Sequence, residues 1–155
     1  MINTIQIQDT NEDFLFELYV STRKSELETW GWDELMQKQF LQMQWTAQQR
    51  SYALQYPKAE HSLIVFQNLQ AGRIIVNRSV EEIVLIDISL LADYHNKGIG
   101  TALLRDLQAE AADARLPLRL SVLSTNPARR LYERLGFVTT ADNGLYNSLE
   151  WRATP

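Results

Sequence analysis

Ile83-Val84-Leu85-Ile86-Asp87-Ile88-Ser89-Leu90-Leu91-Ala92-Asp93-Tyr94-His95-Asn96-Lys97-Gly98-Ile99-Gly100-Thr101 passes from an apolar, β-branched run into a glycine turn, and an amphipathic helical pattern follows. The near-continuous apolar run from Ile83 predicts a central strand covered on both faces. Gly98 and Gly100 permit positive φ and close backbone approach. Successive N–H groups there can converge on one anion, while the next helix adds the positive end of its dipole. By itself the turn fits two readings equally, a phosphate cradle or a tight strand-to-helix turn.

Spacing removes two ligand classes. A dinucleotide fingerprint needs a third glycine where Leu103 stands and normally follows an early strand. A nucleoside-triphosphate loop needs Gly-Lys followed by Ser or Thr, whereas Lys97 precedes both glycines. What remains is a pyrophosphate cradle without catalytic Mg²⁺, built from the amides of residues 96 to 101 with help from the Thr101 hydroxyl.

Working outward, Leu103, Leu107, Ala111 and Ala114 form a helical stripe that ends before Pro117, and 118–123 is the next strand. Strand, turn, helix and strand make a βαβ crossover. Upstream, 61–66, 73–77 and 83–91 predict an antiparallel meander, divided by 68–72 and 79–82. Ile2, Ile5 and Ile7 open a first strand, and Asp9, Thr10 and Asn11 offer cap chemistry to a helix carrying Phe14, Leu15, Leu18 and Tyr19. A polar connection over 21–31 is expected next. A second helix then follows with Leu35, Met36, Phe40, Met43, Ala47 and Leu54 as its apolar stripe, up to Tyr56-Pro57. Asn126-Pro127 starts a short helix through Leu135, Gly136 stops it, and 137–140 with 146–151 reads as a closing hairpin.

Composition bounds the function. The 155 residues, 45% hydrophobic and 22% charged, fit one globular domain spanning 1–155 with a real core. A formal charge of -4 argues against general nucleic-acid binding, which is mostly electrostatic. The absence of cysteine excludes disulfides, thiolate clusters and a Cys nucleophile. With His61 and His95 the only histidines and no paired-His spacing, no metal is expected. Neither a leader pattern nor a membrane-length apolar run is present, so the expected compartment is the cytoplasm, with no membrane partner.

A second motif decides between the readings of the turn: Asn126-Pro127-Ala128-Arg129-Arg130-Leu131-Tyr132-Glu133-Arg134-Leu135-Gly136-Phe137. The two motifs, their separation and the surrounding order of elements resemble the GNAT superfamily of acetyl-CoA-dependent N-acetyltransferases. The resemblance is strong from Ile83 to Phe137 and looser before it. Tyr19 to Arg23 and the Gln-rich helix through Met43-Gln44-Trp45 look like a small bacterial subgroup of unassigned substrate. It implies an α/β (α+β) fold, a mixed and mostly antiparallel sheet of about six or seven strands with about four helices, splayed between strands four and five.

Carried onto this chain, the resemblance implies that the turn residues His95, Asn96, Lys97, Gly98, Ile99, Gly100 and Thr101 bind the CoA pyrophosphate. His95 stands where the family has Gln or Arg; its ring can still donate to a phosphate. The backbone of Ile88, Leu90 and Leu91 would pair with the pantetheine arm in strand fashion, and the Leu90 amide would stabilise the thioester oxygen as negative charge develops. Tyr132 matches the tyrosine that protonates the departing thiolate. Asn126 and Arg129 are further cofactor-side candidates. Thr125 occupies the family's customary asparagine position, and Asn126-Pro127 also fits a helix cap.

No general base stands out. Val84 occupies the strand position where some members have glutamate, and strand alternation turns Asp87 away, so Asp87, Glu81 and Glu82 read as structural or solvated carboxylates. Glu26, Glu28, Trp30, Trp32, Asp33 and Glu34 offer acid and aromatic surface for a cationic acceptor, or else packing and helix-start chemistry. The leading function is direct transfer of an acetyl group from acetyl-CoA to a primary amine, of a small molecule or peptide, in a ternary complex. The alternative is a non-catalytic acyl-CoA-binding or sensing module. Monomer and homodimer both stay open.

Overall fold

The computed structural model describes residues 1–154, without the side chains of 24–26. Its elements are β1 (Ile2–Gln6), α1 (Glu12–Glu28), α2 (Glu34–Gln55), β2 (Glu60–Phe66), β3 (Leu69–Arg78), β4 (Ile83–Leu90), α3 (Ile99–Ala114), β5 (Leu118–Leu123), α4 (Arg129–Arg134), β6 (Val138–Asp142) and β7 (Tyr146–Trp151). Short 3₁₀ turns at Asp9–Asn11 and Ala92–Tyr94 precede α1 and the glycine turn. The seven strands form one mixed sheet in the order β1-β2-β3-β4-β5-β7-β6. β4 is thus central, as its two-sided apolar run predicts, and its pairing with β5 is parallel whereas β1–β2, β5–β7 and β6–β7 are antiparallel.

The chain forms two compact units. The first comprises Met1–Ile74 with Ile88–His95, the second Ile75–Asp87 with the chain from Asn96 onward. In the first, Leu15, Tyr19 and Leu27 of α1, Leu41 and Trp45 of α2, and Leu63 of β2 form the buried cluster. In the second, α3 buries Ile99, Leu103, Leu104, Leu107 and Ala111. β5 alternates buried Leu118, Leu120 and Val122 with exposed residues, the period-2 pattern of a strand.

Three expectations from sequence are corrected in the first unit. The stretch 21–31 is not a connection: α1 runs to Glu28, because Leu27 resumes the apolar stripe and is only 2% exposed. The stripe of α2 lies on a different face. Leu41 and Trp45 are its buried residues, while Leu35, Met36, Met43 and Leu54 are exposed. Third, 68–72 is not the divider between strands. Gln67 and Asn68 both have positive φ, which matches the two-residue primed turn that best suits strand twist. Gly72 therefore sits inside β3.

Beyond α3, α4 begins at Arg129 rather than at Pro127, with Pro127 in the turn before it. Gly136 (φ +95°) ends that helix as expected. The hairpin also forms, with β6 extending to Asp142 and β7 lying between β5 and β6.

Candidate active site

The parallel ladder between β4 and β5 holds only at Ile83–Leu118, Val84–Arg119 and Leu85–Leu120. β5 stays paired to β7 as far as Leu123–Tyr146, but β4 proceeds through Ile86 and Asp87 with its β5 ladder ended. Strands four and five part there, at the place the resemblance implies. Backbone groups released from a ladder need other partners, from solvent, side chains or a ligand strand.

In the first unit, the far end of β4 is held by local bonds. The Leu91 N–H donates to Ala71 O (2.9 Å), and the Leu91 carbonyl accepts from Tyr94 N (2.9 Å). Both backbone groups of Leu91 are thus engaged within the protein. His95 Nε2 lies 2.8 Å from Leu90 O. Because a carbonyl can only accept, that nitrogen carries the proton, and the ring is turned back onto its own strand. Nδ1 is the nitrogen left for any other partner. Ile88 and Leu90 are half-buried in β4.

In the second unit, the glycine turn adopts left-handed backbone at Asn96 (φ +59°) and Gly98 (φ +77°), and Gly98 is the N-cap of α3. The first intrahelical bond is Ala102 N to Gly98 O, 3.0 Å, so the N–H groups of Ile99, Gly100 and Thr101 have no helical acceptor. Ile99 anchors the turn through a buried side chain, while Asn96 and Lys97 are exposed and Thr101 is half-buried. A Cβ at Gly100 would meet no protein atom within 4 Å. Its φ lies outside the left-handed range too, so neither packing nor backbone conformation demands glycine there.

Tyr132 in α4 is 6% exposed and sets its ring edge-on to Phe137 at 5.7 Å between centroids. Burial, and after it the negative charge of Asp87, push the Tyr132 phenol above its ordinary value. The charge of Asp87 is thus felt at Tyr132. The missed signal is the period: Asp87 and Ser89 are alternate polar residues in an otherwise apolar strand, which marks one face of β4 as locally polar.

The neighbouring candidates are largely occupied. Asn126 Oδ1 accepts from Ala128 N (2.9 Å) in a local turn, and Ala128 rather than Asn126 is the N-cap of α4. Arg129 Nε donates to Glu133 Oε1 (3.1 Å). With the amide of fully buried Asn147 oriented to suit its neighbours, Arg129 Nη1 also donates to its oxygen (2.7 Å), and its nitrogen donates to Asp142. Arg130 is exposed.

Near the proposed acceptor segment, Trp30, Trp32 and Phe40 form a triad of edge-on rings with centroids 5.3 to 5.8 Å apart. Asp33 caps α2 by accepting from Met36 N, so it serves the helix start. The side chain of Glu26 lies outside the described residues. Among the described residues no three His, Asp or Glu side chains cluster as a metal site, and no helix is long and apolar enough to cross a membrane.

A family model for the acetyltransferase (GNAT) domain matches residues 58–139, just over half of the chain, from the start of β2 into β6. The chain belongs to the GNAT acetyltransferase family. Solved GNAT relatives share the fold along its whole length. PaiA N-acetyltransferase from Thermoplasma acidophilum, in complex with coenzyme A, superposes with a TM-score of 0.72 at 15% identity, covering 99% of each chain. A GNAT family acetyltransferase from Elizabethkingia anophelis with acetyl-CoA bound gives 0.60 at 16% identity over 98% of each chain. The Campylobacter jejuni N-acetyltransferase PseH, in complex with acetyl coenzyme A, gives 0.61 at 14%, covering 99% of this chain and all of PseH. No curated protein matches the sequence. At these identities the structural likeness speaks for the GNAT fold, and the chemistry must be argued from this chain's own residues.

Proposed function

We propose that this GNAT protein acts over 1–155 as one N-acetyltransferase domain, moving an acetyl group from acetyl-CoA directly to a primary amine. The observation that carries the reading is the buried Tyr132 phenol within electrostatic reach of Asp87, which lies just beyond the end of the β4–β5 ladder. It supplies a protonated donor that feels the charge of a carboxylate on the neighbouring strand. A raised phenol keeps its proton at neutral pH, so Tyr132 is a donor there and not an anion.

In the reaction, the amine nitrogen attacks the thioester carbonyl carbon, the C–N bond forms, and collapse of the tetrahedral species breaks the C–S bond. Tyr132 donates its proton to the departing thiolate. The amine loses a proton through Asp87, directly or by water, since an ordinary alkylammonium near pKa ~10 is unreactive until deprotonated. The strand bearing Asp87 continues through Ile88 and Leu90, whose backbone would align the pantetheine, with the Leu90 amide facing the developing oxyanion. The N–H groups of Ile99, Gly100 and Thr101 would hold the pyrophosphate, with Lys97 adding charge from solvent.

The test is amine-dependent release of CoA across amines, polyamines, amino acids and peptide N-termini, with mass spectrometry of the acetylated product. CoA binding without turnover on any acceptor would instead support an acyl-CoA sensor.

Two variants sharpen the reading. Asp87→Asn is expected to lower kcat/KM roughly 10²-fold at neutral pH and to recover toward wild type as the pH nears the amine's own pKa. A pH–rate profile parallel to wild type would remove Asp87 from proton transfer. Gly100→Ala should raise thermal stability by about 0.5–1 kcal/mol, since alanine suits a helix better than glycine and meets no protein atom. If the pyrophosphate lies against this turn, the same methyl weakens CoA binding roughly tenfold, an expected opposition of melting temperature and calorimetric affinity.

A further inference from the structure

The helix that presents Tyr132 is too short to hold its own direction. α4 has six residues, its N-cap Ala128 offers no side-chain bond, and helices of this length need outside contacts to persist. Burial of the Tyr132 ring against Phe137 holds one side of it. Arg129 stands three residues before Tyr132, a neighbouring position on the helix surface. Its Nε donates to Glu133 Oε1 at 3.1 Å, a bond that joins the helix to itself between half-exposed groups and so contributes little. Its Nη1 donates to the Asn147 oxygen at 2.7 Å, and that bond ties the helix to the sheet.

Asn147 is a fixed point. It is fully buried, and β7 lies between β5 and β6, so its backbone is set by Val122 on one side and Asp142 on the other. In the orientation that bonds Arg129, the amide nitrogen donates to Asp142 Oδ1 at 3.0 Å and faces the Ser124 hydroxyl at 3.3 Å. Asp142 Oδ1 also accepts from Gly144 N (2.8 Å), so the β6–β7 turn closes on the same group. An apolar side chain of similar size would fill this place at a lower desolvation cost. What the amide adds is direction, because a planar group with both ends bonded sets the angles of its partners.

We propose that Asn147 is a positioning residue for Tyr132, acting through Arg129: the buried amide sets the rotation of α4 and thereby where the phenol points. The proposal rests on the reading of Tyr132 as the proton donor. It also takes Arg129 away from the cofactor, since two of its three guanidinium nitrogens are committed to Glu133 and Asn147.

Two variants test it from opposite ends. Arg129→Met keeps the stem and removes the guanidinium from the helix, and Asn147→Leu removes the link from the sheet. Each is expected to lower kcat roughly tenfold with CoA affinity within about twofold of wild type. In the Tyr132→Phe background neither should lower kcat by more than about a further twofold, because a misplaced donor and an absent one cost the same step. The phenol gives a readout that needs no substrate. In protein carrying ring-labelled tyrosine, the Tyr132 carbon signal is identified by its loss in Tyr132→Phe. It should titrate closer to ordinary tyrosine in both variants, whereas removal of a cation alone would move it the other way. If Asn147→Leu does not fold, Arg129→Met decides. Losses that multiply with Tyr132→Phe, or a phenol that titrates as in wild type, overturn the proposal and leave the link a purely structural one. Arg129→Met that weakens CoA binding with kcat intact overturns it as well, and returns Arg129 to the cofactor. Wild-type turnover in Tyr132→Phe defeats the donor reading instead, while the titration still decides whether Asn147 and Arg129 place the phenol.

Discussion

Tyr132→Phe is expected to lower turnover roughly 10²-fold while leaving CoA affinity within about twofold, because it deletes one proton donor and no packing. The ring is buried against Phe137, and phenylalanine preserves that contact. The loss corresponds to about 3 kcal/mol of transition-state stabilisation, appropriate for a single general acid. Steady-state kinetics with a confirmed amine acceptor, together with calorimetric titration of CoA, separate kcat from binding. Unchanged kcat would show that the thiolate leaves with a proton from elsewhere.

A linked effect follows from the raised phenol. The folded chain holds this proton more tightly than the unfolded chain does, so the associated stability is fully present below about pH 10 and is lost as pH climbs through the folded value. Tyr132→Phe removes that alkaline loss, and urea melts on either side of pH 10 measure it.

Gly72→Ala is expected to be the most damaging small substitution. A Cβ at this position of β3 would overlap the carbonyl oxygen of Ser89 and stand 3.0 Å from Cα of Leu90. Both are backbone atoms of the adjoining strand, so no rotamer change relieves the clash. Overpacking against backbone costs about 3 kcal/mol or more, a fall of roughly 10 °C in a chain of this size. Differential scanning calorimetry gives the direct measure, and a Tm within 2 °C of wild type, the fall expected from about 1 kcal/mol at most, would mean that the strands separate there at little cost. Ser89 and Leu90 precede the glycine turn, so a folded remnant should also bind CoA more weakly.

Most of the fold is readable in the sequence because its signals are local. The apolar run from Ile83, the helical stripe Leu103-Leu107-Ala111 and the stop at Gly136 each report on one element through its own period or backbone need. Misreadings arose where local signals were ambiguous. Eight of eleven residues in 21–31 are polar or charged, yet most of them are tolerated in a helix, and Leu27 is held by the cluster around Tyr19 and Trp45. In α2 two opposite stripes are apolar, so periodicity identifies a helix without saying which side faces the core. Gly72 looks like turn chemistry beside Asn68, and only the neighbouring strand reveals it as a close-approach glycine.

The sequence by itself determined the order of elements, the glycine turn with its left-handed Gly98, the family, and Tyr132 as the residue to question. Those depend on spacing along the chain and on backbone freedom, both of which are local. Only tertiary structure decided that Asp87 acts on Tyr132, that His95 turns back to the Leu90 carbonyl, that Arg129 is held by Glu133 and Asn147, and which face of α2 is buried. Electrostatic partners and buried faces depend on which distant segments meet, and residues 45 positions apart, such as Asp87 and Tyr132, carry no local mark of that meeting.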